Sequence, residues 1–266
     1  MTRVTRTTFT LTGLLLGTFA SVADAQERPY FVTYNDTLEK RGELEVSVLS
    51  TIGQPKDEGA RYFAPWIEIE YGVTKRWTTE LYIEGVSIHD DASAFTGWRL
   101  ENRFRPFEGN HLINPVLYIE YESVNEGSRI QKEIVGEGSF PTEPIRMLKH
   151  EHAHELEGRL ILSKQAAAWD FAGNVIAEKN LSESEGVEFG YAAAVSRRIG
   201  RLMAGMEAYG GLGATIAEPA ETRHFLAPTV AWRLTGGSML KASVGFGITN
   251  TSERYLVRFG YSIDAW

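Results

Sequence analysis

The sequence predicts an all-β fold: an antiparallel up-and-down transmembrane β-barrel of about twelve strands behind an N-terminal signal peptide. Three observations carry that prediction. The chain opens on an export signal, it holds no later apolar run of helix-spanning length, and the rest divides into segments of roughly ten residues that alternate apolar and polar side chains.

Arg3 and Arg6 precede an apolar run from Phe9 to Phe19, and Ala23-Asp24-Ala25 supplies a small-residue exit. Residues 1–25 therefore read as a signal peptide, with the mature chain starting at Gln26. The run is too short and too interrupted by Thr and Gly to span a bilayer as a helix, which takes roughly 20 apolar residues. Residues 26–266 read as one barrel domain, since chains of this length need no second unit when strands dominate. Cys is absent, which excludes a lipid-modified Cys behind the cleavage site, disulfides and thiolate chemistry. The net charge of −8 includes a signal whose two Arg and one Asp contribute +1, leaving −9 for the mature chain. That sign argues against nucleic acid as a partner.

The alternating segments run over 42–53, 61–72, 76–88, 94–106, 114–124, 154–164, 167–178, 185–197, 200–212, 222–235, 238–249 and 252–263. In the first, Leu44, Val46 and Val48 oppose Glu43, Glu45 and Ser47; in the last, Tyr255, Val257, Phe259, Tyr261 and Ile263 oppose Arg254, Leu256, Arg258, Gly260 and Ser262. A soluble periplasmic β-protein would also show two faces, so the connections decide between them. Val73-Thr74-Lys75, Gln165-Ala166, Arg198-Ile199 and Gly236-Gly237 are tight, and the intervening connections are mostly longer, above all Asn125 to Ala153. Short turns alternating with long loops are what a barrel with both termini in the periplasm requires. Trp77, Trp98, Trp169, Trp232 and Tyr261 sit on the oily face near strand ends, as interfacial girdles do. The expected location is the outer membrane, with lipid along the oily face. Terminal Trp266 is the kind of aromatic end that the barrel-assembly machinery reads, although its parity departs from that of the last strand, so the final three residues are expected to leave the strand or to contain a bulge.

The opening Tyr34-Asn35-Asp36-Thr37-Leu38-Glu39-Lys40-Arg41-Gly42-Glu43-Leu44-Glu45 resembles the start of bacterial outer-membrane barrels grouped with transporter-like and phenol-degradation-pathway (MetA-type) proteins. The resemblance extends more weakly through the strand pattern. It implies the barrel fold and the outer membrane, and it implies no particular solute.

Parity assigns the other face to the lumen, and that face is densely charged. Glu43, Glu45, Glu68, Glu70, Glu80, Glu84, Glu120, Glu122, Glu155, Glu157, Glu178, Glu188 and Glu207 point inward by this reading, with Arg99, Arg103, Arg105, Arg159, Arg223, Arg233, Lys241, Arg254 and Arg258. Because the last strand of a closed barrel neighbours the first, Arg254 and Arg258 are expected to meet Glu43 and Glu45 as cross-strand pairs. Such ladders hold a narrow barrel together, and the same charges would orient a solute in transit. A twelve-stranded ring encloses little more than its own side chains. The functional expectation is a narrow channel or transporter for small hydrophilic or charged solutes; the alternative is a non-conducting structural or adhesive barrel whose external loops make the contacts.

His150, His152 and His154 alternate along an extended chain and project to one side, an arrangement suited to a divalent transition metal such as Zn or Cu. By parity with Leu156 and Leu160 this row lies on the outer rim, with Glu151 on the opposite face; a solvated charged loop is the plainer account. No other cofactor is expected. A lipid-face acyl hydrolase using His154 or His224 lacks a nucleophile, because no Ser lies within two residues of either His and no Gly-x-Ser-x-Gly occurs, so the chain is not read as an enzyme. Gly210-Gly211-x-Gly213 ends a strand with no helix behind it and is not a phosphate loop. The loop holding Gly136, Gly138, Pro141 and Pro144 is expected outside the cell, over the mouth.

Overall fold

The computed structural model describes residues 28–56, 59–109, 111–125, 127–128, 152–182, 184, 186–214 and 222–265. Residues 1–27, which include the expected signal peptide, lie outside them, as do His150, Glu151, Trp266 and the segment with Gly136 to Pro144. Twelve strands follow in order: β1 (Leu44–Gln54), β2 (Tyr62–Thr74), β3 (Trp77–Ile88), β4 (Ser93–Phe104), β5 (Asn114–Val124), β6 (Ala153–Ala166), β7 (Trp169–Asn180), β8 (Val187–Ile199), β9 (Leu202–Gly213), β10 (His224–Arg233), β11 (Ser238–Gly247) and β12 (Tyr255–Asp264). Each pairs antiparallel with the next, and β12 pairs with β1, so the sheet closes into a barrel. No helix among the described residues is long and apolar enough to cross a membrane.

One end of the barrel carries the short turns and the other the long loops. Turns fall at 75–76, 167–168, 200–201 and 234–237, up to two residues beyond the predicted positions. Three of the four turns hold residues in the left-handed conformation that suits a tight hairpin: Ala167 at φ 54°, Gly200 at 64°, and Gly236 and Gly237 at 80° and 72°. The alternation of short and long is not strict, because the 105–113 connection on the turn end is itself a longer loop, held by His111 N–H donating to Asn114 Oδ1 at 2.9 Å. In barrels of this type the turn end faces the periplasm.

The outside of the barrel is apolar and exposed while the inside is buried and largely polar, the inverse of a soluble sandwich. Val48, Ile67, Leu117, Leu160, Val175, Val230 and Phe259 all face outward from mid-strand. Aromatic side chains gather at the turn end, where Trp77 stacks on Phe104 at 5.4 Å between centroids and Trp169 on Phe171 at 6.3 Å, with Trp232 and Tyr261 on the same rim. This is a transmembrane barrel wearing an apolar belt and an aromatic girdle.

One irregularity aims the lumen chemistry. The β3–β4 register shifts between Glu84 and Gly85, opposite Gly97. Gly97 takes φ 148°, and a Cβ there would press on the Val124 main chain at 2.7 Å. Across this bulge the inward positions of β4 change parity: Thr96 is buried before it, and Glu101 and Arg103 after it. Bulges re-aim side chains in this way.

The belt predicts a depth-dependent cost. Arg in place of Val175, 60% exposed at the middle of β7, is expected to lower folding stability in lipid vesicles by about 2–4 kcal/mol, and Arg in place of Val187, at the loop-end start of β8, by about 1 kcal/mol or less. Denaturant titration of the two variants gives the comparison, and equal losses would contradict the assigned membrane position.

Candidate functional site: a charged lumen filled by the N-terminal segment

The chain does not enter the wall of the barrel directly. Residues 28–39 first lie inside it, and residues 40–42 reach the turn-end rim. Gly42, at φ 84°, turns the chain into β1, its N–H donating to the Gly72 carbonyl at 2.7 Å. Gly72 is glycine because a Cβ there would overlap the Lys40 carbonyl passing beside it.

Wall side chains meet this segment's main chain along its length. The N–H groups of Phe31, Val32 and Thr33 all donate to the Glu207 carboxylate, at 3.0, 3.0 and 2.8 Å. Asn174 grips Tyr34 twice: it accepts the Tyr34 N–H on Oδ1 and donates from Nδ2 to the Tyr34 carbonyl, both at 2.8 Å. Nearer the turn end, Ser163 Oγ accepts from Asp36 N–H at 3.0 Å and Thr78 Oγ1 from Glu39 N–H at 3.0 Å. Arg159 donates to the Val32 carbonyl, Arg103 to that of Thr37, and Thr229 to that of Pro29.

The segment's side chains complete the filling. Tyr34 is fully surrounded: its hydroxyl donates to Glu101 Oε2 at 2.8 Å, and the guanidinium groups of Arg28, Arg159 and Arg103 lie 3.8, 5.0 and 5.2 Å from its ring centroid. Burial pushes the Tyr34 hydroxyl well above its ordinary pKa; Arg28 pulls it back and Glu101 raises it further, so it stays a donor. Burial works against the charge of Arg28, and Tyr34, Glu80, Tyr82 and Glu68 more than offset it. Tyr30 donates to Asp170 Oδ1 at 3.0 Å and Ser196 Oγ at 2.9 Å. Val32 joins a buried apolar cluster in which Tyr62, Val86, Ile176, Tyr209, Phe225 and Leu256 take part.

The wall behind the segment holds most of the residues that parity assigned to it. Arg103 is one hub, ion-paired with Glu70, with Glu80 at 3.1 Å and with Glu101 at 2.6 Å. Arg99 is the other, with Glu84 at 2.8 Å, Glu122 at 3.7 Å and Glu120 at 3.8 Å. Glu68 faces Arg28 at 3.8 Å, and Glu157 pairs with Arg159. Glu155 stands with Glu122 and Glu178, their carboxylate oxygens within 4.8 Å of one another. Arg233 lies half-buried at the turn end.

The expected ladder at the closure does not form. Antiparallel pairing sets the beginning of β1 against the end of β12, so Glu45 stands opposite Asp264 while Arg258 stands opposite Thr51. Arg258 instead donates to Tyr209 OH at 2.9 Å and Thr51 Oγ1 at 3.3 Å. Arg254 precedes β12 on the loop-end rim, exposed, and donates to the Lys56 carbonyl; Glu43 lies on the opposite rim beside Lys40. The two pairs thus sit at opposite ends of the barrel.

His152 and His154 lie on the loop-end rim, where each ring Nδ1 meets a hydroxyl of β5: Ser123 at 3.1 Å and Tyr121 at 2.7 Å. The other histidine of that row, His150, is outside the described residues. His224 bonds to Tyr191 and Thr222 hydroxyls at 3.0 and 2.8 Å.

What parity did not single out is the segment itself, together with Glu101, Tyr82, Tyr118 and Asn174, which hold it or its Tyr34 pocket. Two spaces adjoin the segment. A cavity of about 20 Å³ lies among Arg28, Glu39, Glu45, Glu70 and Arg103, and a vestibule of about 310 Å³ opens at the turn end beside Asp170, Arg198 and Arg233.

Fold and lumen together define a closed outer-membrane-type β-barrel occupied by its own N-terminal segment. Residues 149–265 match the model of a family described as "Putative MetA-pathway of phenol degradation", a match lying over β6 to β12 rather than over the Tyr34–Glu45 opening. The fold is similar to that of an outer membrane channel from Pseudomonas putida F1, with 13% identity, 86% of this chain and 97% of that one covered, and a TM-score of 0.57. Also similar are the translocator domain of the autotransporter NalP from Neisseria meningitidis (12% identity, 85% and 89% covered, TM-score 0.44) and the beta domain of the Bordetella autotransporter Brka (14% identity, 84% and 99% covered, TM-score 0.46). At these identities the likeness is one of fold. No match was found among curated proteins.

Glu39 gives the seat a pH dependence. Burial, and then Glu70, Glu45 and Asp264, push its carboxyl up to about 9 from an ordinary value of 4.5. The seated form therefore keeps a proton that a released segment gives up, so seating weakens as pH rises from about 4.5 to about 9 and is level beyond that range. Hydrogen exchange at the Phe31–Thr33 amides, taken as the ratio to a Glu39→Gln variant at each pH, is expected to rise through this window; a flat ratio would remove Glu39 from the seat.

Proposed function

We propose that this chain forms a narrow outer-membrane channel for small hydrophilic or charged solutes, closed here by residues 28–39 and opened when they leave the lumen. The observation that carries the reading is the chemistry of the wall behind the segment. Arg99, Arg103 and Arg159 stand among Glu70, Glu80, Glu84, Glu101, Glu120 and Glu157. A buried ion-pair network stabilises a core no better than apolar packing of the same volume. A barrel built only to stay filled is served by Leu and Val there, whereas a charged wall suits a path that is at times wet. The segment is held by hydrogen bonds and ion pairs, which water replaces when it moves out. The likeness in fold to an outer membrane channel agrees with this reading. It involves no catalytic step.

A second reading has one observation in its favour. Val32 is seated in a buried apolar cluster inside the lumen, the packing that a non-conducting structural or adhesive barrel would use. In that reading the external rim makes the contacts, and a divalent metal at His150, His152 and His154 belongs to it.

Planar-bilayer conductance separates the two. The native chain is expected to give rare, brief openings. A Glu207→Ala/Asn174→Ala variant, which removes the groups holding Phe31 to Tyr34, is expected to stay open at least about tenfold longer, since the two lost contacts exceed 1.4 kcal/mol. If the folded variant carries no current and its liposomes take up no solute, the channel reading falls and the sealed barrel stands.

A further inference from the structure

We propose that the lumen wall is a peptide-binding track, and that a short peptide is the solute class it takes when the resident segment leaves. This rests on the channel reading insofar as the segment must be able to leave.

The first observation is what the wall recognises. Glu207, Asn174, Ser163, Thr78, Thr229 and Arg159, drawn from five strands, bond to N–H and carbonyl groups of the segment's main chain. Those groups are common to every peptide. Glu207 is the sharpest case, since three consecutive N–H groups converge on one carboxylate at a bend that a short peptide can adopt. Asn174 offers donor and acceptor together to one residue, the bonding an adjacent strand would give.

The second observation is independent of the first. Side chains of the segment enter three separate pockets: Tyr30 with Ala172 and Ala194, Val32 in the cluster of Tyr62, Phe225 and Leu256 with Phe31 packed against its edge, and Tyr34 with Val116, Tyr118 and Ile161. Main-chain bonds for affinity, with pockets for alternate side chains for selectivity, is the way proteins read peptides. The track thus favours a bulky apolar or aromatic residue at the positions of Tyr30, Val32 and Tyr34. A buried main chain must always find partners, but that requirement by itself does not supply a row of pockets in step with it.

The absence of Cys allows a single reporter in the full-length protein. Thr33 is fully buried in the seat, so a Thr33→Cys variant reacts with a thiol reagent only when the segment is out. A synthetic peptide of residues 28–40, added to the reconstituted full chain, is expected to speed labelling saturably, by about tenfold when present at ten times its Kd for the emptied lumen and while the open form is still the minority. The same peptide with Ala at the positions of Tyr30, Val32 and Tyr34 is expected to compete about tenfold less well or worse, and so is a scrambled peptide, which keeps the main-chain groups and loses the pockets. If Thr33→Cys labels by itself and the bilayers conduct, yet no peptide changes the labelling, the track is refuted and the channel stands. If the native peptide speeds labelling in a protein that never conducts, the track stands and the channel reading falls. Equal effects of native and scrambled peptides would also overturn the proposal, because they would show displacement without recognition.

Discussion

Everything inside this protein depends on the pairing of Leu44–Gln54 with Tyr255–Asp264, which closes the sheet. In an apolar medium an open edge leaves a row of unpaired N–H and carbonyl groups, each costing several kcal/mol, so only closure is stable there. Closure separates two surfaces that an open sheet would leave equivalent. Lipid takes the face with Val48, Val175 and Phe259, and the face with Glu101, Arg103 and Glu207 is sealed from it. It also fixes direction, setting the turn end of β1 against the turn end of β12. Direction is why Glu45 meets Asp264 and not Arg258.

Within that enclosure, charge and the N-terminal segment depend on each other. The carboxylates of β2, β3 and β5 surround two guanidinium hubs on β4, and the bulge at Gly97 is what aims those hubs inward. Arg28 adds a further cation against Glu68 and Glu80 while lying over Tyr34. Withdrawing the segment would take Arg28 from two acids and three N–H donors from Glu207. Water entering the lumen is the natural replacement for both.

The interior combines two chemistries. The segment is bonded through its main chain to polar and charged wall groups, and Val32 projects into an apolar cluster with Tyr62, Tyr209, Phe225 and Leu256. Buried charges also stand toward the loop end, where Arg223 pairs with Glu253 at 3.0 Å.

Strand number, strand position and the choice of inward residues were legible from the sequence because they follow from a local period of two. The pleat sends alternate side chains to opposite faces whatever the rest of the chain does. Thus Glu68, Glu70, Glu80, Arg99 and Arg159 occupy the side expected of them. The partner of each charge was not legible, because it depends on register, on bulges and on which ends meet; Arg254 and Glu43 fell on the rims for that reason. Nor was the filling of the lumen. Residues 28–42 carry no strand period, and a stretch such as Pro29-Tyr30-Phe31-Val32-Thr33-Tyr34 reads equally as a linker. Only the closed barrel supplies Glu207, Asn174 and Ser163 at the spacing that makes its main chain a ligand. Periodicity is written in neighbouring residues, whereas occupancy of an enclosed space is decided by groups more than a hundred residues apart in sequence, which meet once the ring is complete.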